Sequence, residues 1–320
     1  MNDFANVEFR ALRTALAKTL LASAALIGAS AVLSQVLATQ AEKNNPPKGK
    51  FVEVDGLHLH YVEEGSGEPI VFLHGAGSMI EDLASSGLLN MAAKNGRAIA
   101  FDRPGFGHTE RPSDRSWGPE EQAALLVKAF ASLKIDRPVI VAHSWGTLVA
   151  LALALNHPES VSRLVLLSGY YFPSLRSDTV ISAPGATPIL GDLIQHTFGP
   201  LIARLTAASV IEDLFDPRPV SPAFKAAYPV GLATRPSQLK ASAQDTFNMP
   251  FDAFSLSKRY HELKLPVAIF AGNEDKIVDT ELQSKRLHEA IPHSRYYHQE
   301  NTGHMIHHAI PAAIIAAVTA

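Results

Sequence analysis

The 320-residue chain contains no cysteine, which rules out disulfides, thiolate metal sites and a cysteine nucleophile in one stroke. It also lacks any block of like charge. Its 28 Lys and Arg stand against 31 Asp and Glu, a formal net charge of -3, so nothing in it would grip nucleic acid or an anionic surface. Internal repeats and low-complexity tracts are missing too, apart from an Ala-rich stretch near the N-terminus, which argues against solenoids and disordered linkers. What remains is a chain that is 47% apolar and long enough to bury a large core.

One long run lacks charge altogether. From Thr19 to Ala41 no ionisable side chain interrupts the sequence, and Leu20 to Ala38 alone is nearly the length that crosses a bilayer. Residues 1–41 are therefore set apart from the fold, either as a signal peptide cut after Ala41 or as an uncleaved membrane anchor. The long leader before the run favours the anchor. Arg10, Arg13 and Lys18 precede the segment and Lys43, Lys48 and Lys50 follow it, so basic residues flank it on both sides; the catalytic domain is expected outside the cytoplasm. Residues 42–50, polar and proline-containing, read as a linker.

From Phe51 onward the pattern is that of an α/β protein. Two β-rich runs, Phe51–Val54 and Leu57–Glu63, flank Asp55-Gly56, a two-residue hairpin signal. Apolar strands at Pro69–Leu73, Arg97–Phe101, Val139–Ala142 and Val161–Leu167 then alternate with helical stretches at 120–133 and 144–155. This order predicts βαβ units and a mostly parallel sheet with helices on both faces. The pattern breaks from Tyr170 to Ser257, where ten prolines punctuate apolar, helical pieces. Residues 170–257 thus read as an inserted lid between core segments 51–169 and 258–320. The second segment resumes with strands at Pro266–Ala271 and Ser294–Gln299, a helix at 280–290, and a last apolar helix after His304.

The chemistry is concentrated where strand Val139–Ala142 runs into a helix through Ala142-His-Ser-Trp-Gly146. A serine on such a turn needs small neighbours at Ala142 and Gly146, and the turn lifts the Ser144 hydroxyl to the carboxyl edge of the sheet. The helix N-terminus aims N–H groups at the same point, so the Trp145 N–H is one expected oxyanion donor. The glycine-flanked turn Leu73-His-Gly-Ala-Gly-Ser78 offers the Ala76 N–H as the second. A serine hydroxyl needs a base and an orienting acid. His304, in Gly-His after the last strand, and Asp275, in Asn-Glu-Asp-Lys after the preceding one, supply them in the chain order Ser, Asp, His. Against them stand His298, His307 and His308 as surface or helix histidines, and Glu274 and Asp279 as solvated charges or helix caps. Trp145 could line the pocket, although packing alone would justify it. His74 and His143 read as structural residues with no third metal ligand, and neither a metal nor a cofactor is expected.

These segments, with Phe101-Asp-Arg-Pro-Gly-Phe-Gly-His-Thr109, resemble the α/β-hydrolase superfamily, in particular its lidded branch of esterases, C–C bond hydrolases, haloperoxidase-like enzymes and epoxide hydrolases. The resemblance runs from about Phe51 to the C-terminus. It implies the α/β-hydrolase fold and a cofactor-free serine hydrolase acting on a small or medium hydrophobic ester-like substrate through an acyl-enzyme. Two departures stand out: Ala142 replaces a more usual glycine, and Ser144 occupies the place where epoxide hydrolases and haloalkane dehalogenases carry aspartate. Perhydrolase or C–C cleavage by the same triad, and a non-catalytic ligand-binding role, are the competing readings. Asp102 and Arg103 are expected to fasten their turn rather than catalyse. The sequence sets no oligomeric state.

Overall fold

The computed structural model describes residues 2–174 and 177–319. Eight strands form one sheet: β1 (Lys50–Val54), β2 (Leu57–Gly65), β3 (Pro69–Leu73), β4 (Arg97–Phe101), β5 (Val139–His143), β6 (Arg163–Leu167), β7 (Val267–Gly272) and β8 (Arg295–Gln299). Their spatial order is β1-β2-β4-β3-β5-β6-β7-β8. The hairpin forms as expected, with Val54 opposite Leu57 and positive φ at both Asp55 (51°) and Gly56 (76°), the conformation a right-twisted two-residue turn requires. β2 pairs antiparallel with β4, and every pairing from β4 through β3 to β8 is parallel.

Alternation along the strands builds two cores, one on each face. Val71, Leu73, Ile140, Ala142, Leu164, Leu166 and Ile269 point to the face covered by α4 (Pro119–Leu133) and α5 (Gly146–Asn156). Ile70, Phe72, Val141, Val165, Leu167 and Phe270 point to the other. That face is covered by α2 (Ile80–Ser85), α3 (Leu88–Ala93), α13 (Ile306–Ala309) and α14 (Pro311–Thr319). The sequence pattern did not indicate α2 and α3. They are six residues each, too short for a 3.6-residue period to stand out, and they are held by burial of Ile80, Leu83, Leu88 and Leu89 against the sheet. The helix expected at 280–290 is a π-turn over Glu281–Lys285 followed by α12 (Arg286–Ala290).

Between β6 and β7 lie α6 (Ser177–Ala186), α7 (Pro188–His196), α8 (Phe198–Phe215), α9 (Pro222–Ala227), α10 (Val230–Ala233) and α11 (Pro236–Ser257). Pro188, Pro222 and Pro236 each open a helix, where a missing N–H costs nothing. Pro184 and Pro250 depart from the expected role as punctuation and sit inside α6 and α11.

The N-terminal segment is a single helix, α1 (Asn2–Asn44). It is long and apolar enough to cross a membrane. The stretch read as a linker from residue 42 is therefore helical as far as Asn44, and Lys50 already belongs to β1. Tertiary contacts account for the extension: Ala38 and Ala41 are buried, the Ser34 hydroxyl donates to the Thr197 carbonyl at 2.5 Å, and Glu42 pairs with Arg235 at 2.9 Å.

Candidate active site

The loops that leave the carboxyl ends of β3, β5, β7 and β8 converge above the sheet. Ser144 follows β5 with a positive φ of 51°, the strained elbow expected from its small neighbours. The strain is tolerated because the backbone is pinned from both sides. The Ser144 N–H donates to the Leu167 carbonyl at 2.9 Å, and a Cβ on Gly146 would lie 2.6 Å from the His74 carbonyl oxygen. Gly75 permits the other close approach, since a Cβ there would come within 2.9 Å of the Ser144 Cβ.

Ser144, His304 and Asp275 are brought together in hydrogen-bonding sequence. The Ser144 hydroxyl meets His304 Nε2 at 3.0 Å, and His304 Nδ1 meets Asp275 Oδ2 at 2.8 Å. The other carboxylate oxygen of Asp275 accepts the Ile277 and Val278 N–H groups at 2.8 and 2.9 Å, which fixes its orientation. Both side chains of the His–Asp pair are buried. The competing acid Asp279 instead accepts the Leu282 N–H at the head of the following turn, as a helix cap does. His298 is exposed on edge strand β8.

Ala76 stands in the loop after β3 and Trp145 directly follows Ser144, and no backbone acceptor is found for either N–H among the described residues. Ala76 lines the cavity over Ser144, a space of about 70 Å³ closed by Ile211, Leu214, Phe224 and Tyr228 of the 170–257 insertion. Tyr228 reaches across to donate to the Gly77 carbonyl at 2.8 Å. The Trp145 ring does not line this cavity. It is buried under the Arg103 guanidinium, 4.3 Å from the ring centre, and its Nε1 donates to the Asp245 carbonyl, so packing accounts for it. A larger cleft of about 920 Å³, beside Arg111, Trp117 and Lys240, contains neither Ser144 nor His304.

Asp102 and Arg103 fasten the surrounding loops. Asp102 accepts the Ile80 and His108 N–H groups and His60 Nδ1. Arg103 donates to the carbonyls of His74 and Gly75, holding the Ala76 loop, and its remaining nitrogen pairs with Asp245 at 2.8 Å. Arg111 binds the second oxygen of Asp245 at 2.9 Å. Sequence patterning gave no sign of Asp245, which lies in α11, 142 residues from its partner.

His307 and His308 lie on helix α13, as the helix alternative for them had it, but turned inward and not to the surface: both donate through Nε2 to Asp82 Oδ1, at 3.0 and 2.9 Å, and Ser78 donates to the other oxygen. His143 donates to the carbonyl of His304 at 3.1 Å and packs 4.3 Å from the His307 ring. Asp82, His143 and His307 thus offer three ligand-type atoms within 4.8 Å of one another, where His143 was expected to have no such companions. Burial alone would raise the Asp82 carboxyl, but the two imidazoles against it hold it well below the usual range. Burial, with His307 and His304 alongside, pushes His143 well down, and burial likewise lowers His307. Burial beside Arg103 brings His74 to about 4.

His74, His143 and His307 set an acid limit. Each of these three binds a proton less readily folded than unfolded, so their stabilisation is complete above the unfolded value of 6.5 and is lost as pH falls below it. His74 alone should cost about 2 kcal/mol at pH 5. His60, whose burial is outweighed by Asp102, is raised and acts in the opposite direction. Urea denaturation at pH 7 and pH 5 should show a lower midpoint at pH 5; equal midpoints would contradict the assignment of neutral buried imidazoles.

Sheet order, elbow and loop convergence define an α/β-hydrolase. A model of the alpha/beta hydrolase fold family matches residues 68–309, and the chain belongs to that family. It is similar to a 2-hydroxymuconate semialdehyde hydrolase of Pseudomonas sp., 35% identical over 136 residues, 42% of this chain and 48% of that one, so the match spans about half of that relative's length. It is also 24% identical to a 2-hydroxy-6-oxo-2,4-heptadienoate hydrolase of Pseudomonas putida over 82% of this chain and 91% of that one. Among solved structures, a bacterial membrane phospholipase A shares its fold with a TM-score of 0.63 at 19% identity, covering 100% of this chain and 99% of the other.

Proposed function

We propose that the chain is a serine hydrolase that cleaves a small or medium hydrophobic ester-like substrate by acyl transfer. The observation that carries this reading is the unbroken relay of hydrogen bonds from Asp275 through His304 to Ser144, at 2.8 and 3.0 Å. His304 takes the Ser144 proton as the oxygen attacks the carbonyl. The Ala76 and Trp145 N–H groups, for which the described residues offer no backbone acceptor, receive the developing oxyanion. His304 then returns the proton to the leaving group, and water, activated by the same imidazole, releases the acyl group. Asp275 holds the tautomer that leaves Nε2 free to accept.

The apolar wall of Ile211, Leu214 and Phe224 supports a hydrophobic acyl group, and residues 170–257 act as the lid over it. A second reading, hydrolysis of a carbon–carbon bond beside a carbonyl, is favoured by the dienoate and semialdehyde hydrolases to which the chain is similar. The same residues would serve it. Helix α1 is the uncleaved membrane anchor in this account, in keeping with its exposed leucines.

A fluorophosphonate probe tests the nucleophile. The natural chain should be labelled on Ser144 and the Ser144→Ala chain should not; equal labelling of both would remove the proposal. Parallel assays with a short p-nitrophenyl ester and a dienoic ring-fission product then distinguish ester from carbon–carbon cleavage.

A further inference from the structure

The outer side of the lid carries an unusual surface. Ile181, Ile189, Leu193, Ile202, Leu205 and Val210, spread over α6, α7 and α8, are all more than half exposed, Ile189 by 86% and Leu205 by 85%. From Ile181 to Ile211 the only Asp, Glu, Lys or Arg residues are Asp192 and Arg204. Both are engaged within the lid: Asp192 pairs with Lys240, and Arg204 donates to Thr234. An aliphatic face this extensive and this free of charge is costly in water and marks an interaction surface.

The neighbouring helix identifies what covers it. α1 packs against α7, α8 and α10 through its last third, with Ser34 bonded to Thr197 at the junction of α7 and α8. Its uncharged run begins at Thr19, directly after Lys18. A hydrocarbon layer of about 30 Å takes up about 20 helical residues at 1.5 Å each, so a layer entered at Thr19 is left near Ala38. Ser34 then lies about 6 Å below that surface, and Thr197 with it. The ends of α7 and α8 must dip into the apolar layer, and the side chains they turn outward are those that tolerate it. A second copy of the chain could cover the aliphatic face, but it would not change the depth at which α1 carries Thr197.

We propose that the α6–α8 face of the lid docks into the bilayer around α1, and that the substrate is an acyl ester of a membrane-resident amphiphile, delivered from the bilayer. The substrate half rests on the reading of Ser144 as nucleophile. α8 is the partition between the two compartments: Ile211 and Leu214 line the cavity over Ser144, while Val210, adjacent in sequence, faces outward. An acyl chain passing α8 moves from lipid to apolar lid without crossing water, and its ester is brought to the Ser144 and His304 side of the cavity.

Because the chain has no cysteine, single cysteines can be placed in it at will. Ile189→Cys and Leu205→Cys in the full-length protein, labelled with an environment-sensitive nitrobenzoxadiazole and reconstituted into phosphatidylcholine–phosphatidylglycerol vesicles, should shift to the blue. They should also be quenched at least twofold by nitroxide-labelled phosphatidylcholine. Asp136→Cys, exposed before β5 at the opposite edge of the sheet, should be unaffected. Absence of quenching at 189 and 205 in vesicle-bound protein overturns docking, as does disulfide capture of Leu205→Cys by its counterpart in a second chain without quenching. Leu205→Glu should lower turnover of a long-chain ester embedded in vesicles about tenfold and leave a short soluble ester within twofold; equal loss on both overturns delivery from the bilayer. Quenching is read equally well in Ser144→Ala protein, so failure of docking and failure of the serine mechanism are separable.

Discussion

Replacement of Ser144 by alanine is expected to lower kcat roughly 10⁶-fold with little change in stability, because in the proposed mechanism the hydroxyl is the bond-forming group. The Ala76 and Trp145 N–H groups and the apolar cavity stay in place, so a residual rate above water should persist. Asp275→Asn should cost less, roughly 10⁴-fold, by favouring the imidazole tautomer that cannot accept the serine proton at Nε2. The ranking carries as much information as the magnitudes. If the two variants were equally active, or if Ser144→Ala retained measurable turnover within a hundredfold of the natural chain, the relay of hydrogen bonds from Asp275 to Ser144 would have no catalytic meaning. Steady-state kinetics on one ester substrate suffices.

The second large effect is expected far from the reacting atoms, at Asp245. Its carboxylate is fully buried and is shared by Arg103 and Arg111, which are themselves almost or largely buried. Burial pulls the Arg103 guanidinium down, and Asp245 is the counter-charge that offsets it. Asp245→Ala leaves two guanidinium groups in a low-dielectric setting without the carboxylate that neutralises them, a change that costs about 3–5 kcal/mol. Activity should fall with stability, because Arg103 also holds the His74 and Gly75 carbonyls and so the loop that presents the Ala76 N–H. Chemical denaturation of the two proteins at pH 7 checks this; coincident transitions would mean that the lid-to-core ion pairs are energetically idle.

Much of the fold could be read from residues alone because the signals are local. Continuous apolar runs such as Pro69–Leu73 and Val139–Ala142 announce strands buried on both faces, and Asp55-Gly56 announces its hairpin. The elbow is legible for the same reason: Ala142 and Gly146 stand within two residues of Ser144, and at Gly146 the His74 and Leu73 carbonyls leave no room for a side chain. His304 and Asp275 could be singled out because each follows a recognisable strand.

What stayed hidden depends on partners distant in sequence. Asp82 meets His307 across 225 residues, and nothing around Ile80-Glu-Asp-Leu83 distinguishes it from a solvated helix acid. His307 and His308, a few residues after His304, read equally well as surface or as helix residues, because Asp82, which binds both and accepts from Ser78, is remote in sequence. The continuation of α1 past Ala41 was equally illegible, since Glu42 and Lys43 carry the polarity of a linker while the contact that extends the helix is made by Arg235. Charge that is paired within the fold and charge that is solvated look identical in a sequence.

The most direct measurement of the central claim is the capture of the covalent intermediate. Rapid acid quench of the enzyme during turnover of a p-nitrophenyl ester, followed by peptide mass analysis, should find the acyl mass on the peptide that contains Ser144, and His304→Ala should abolish its accumulation. Turnover that proceeds with the acyl group on any other residue, or an adduct that forms at full rate without His304, would contradict the mechanism.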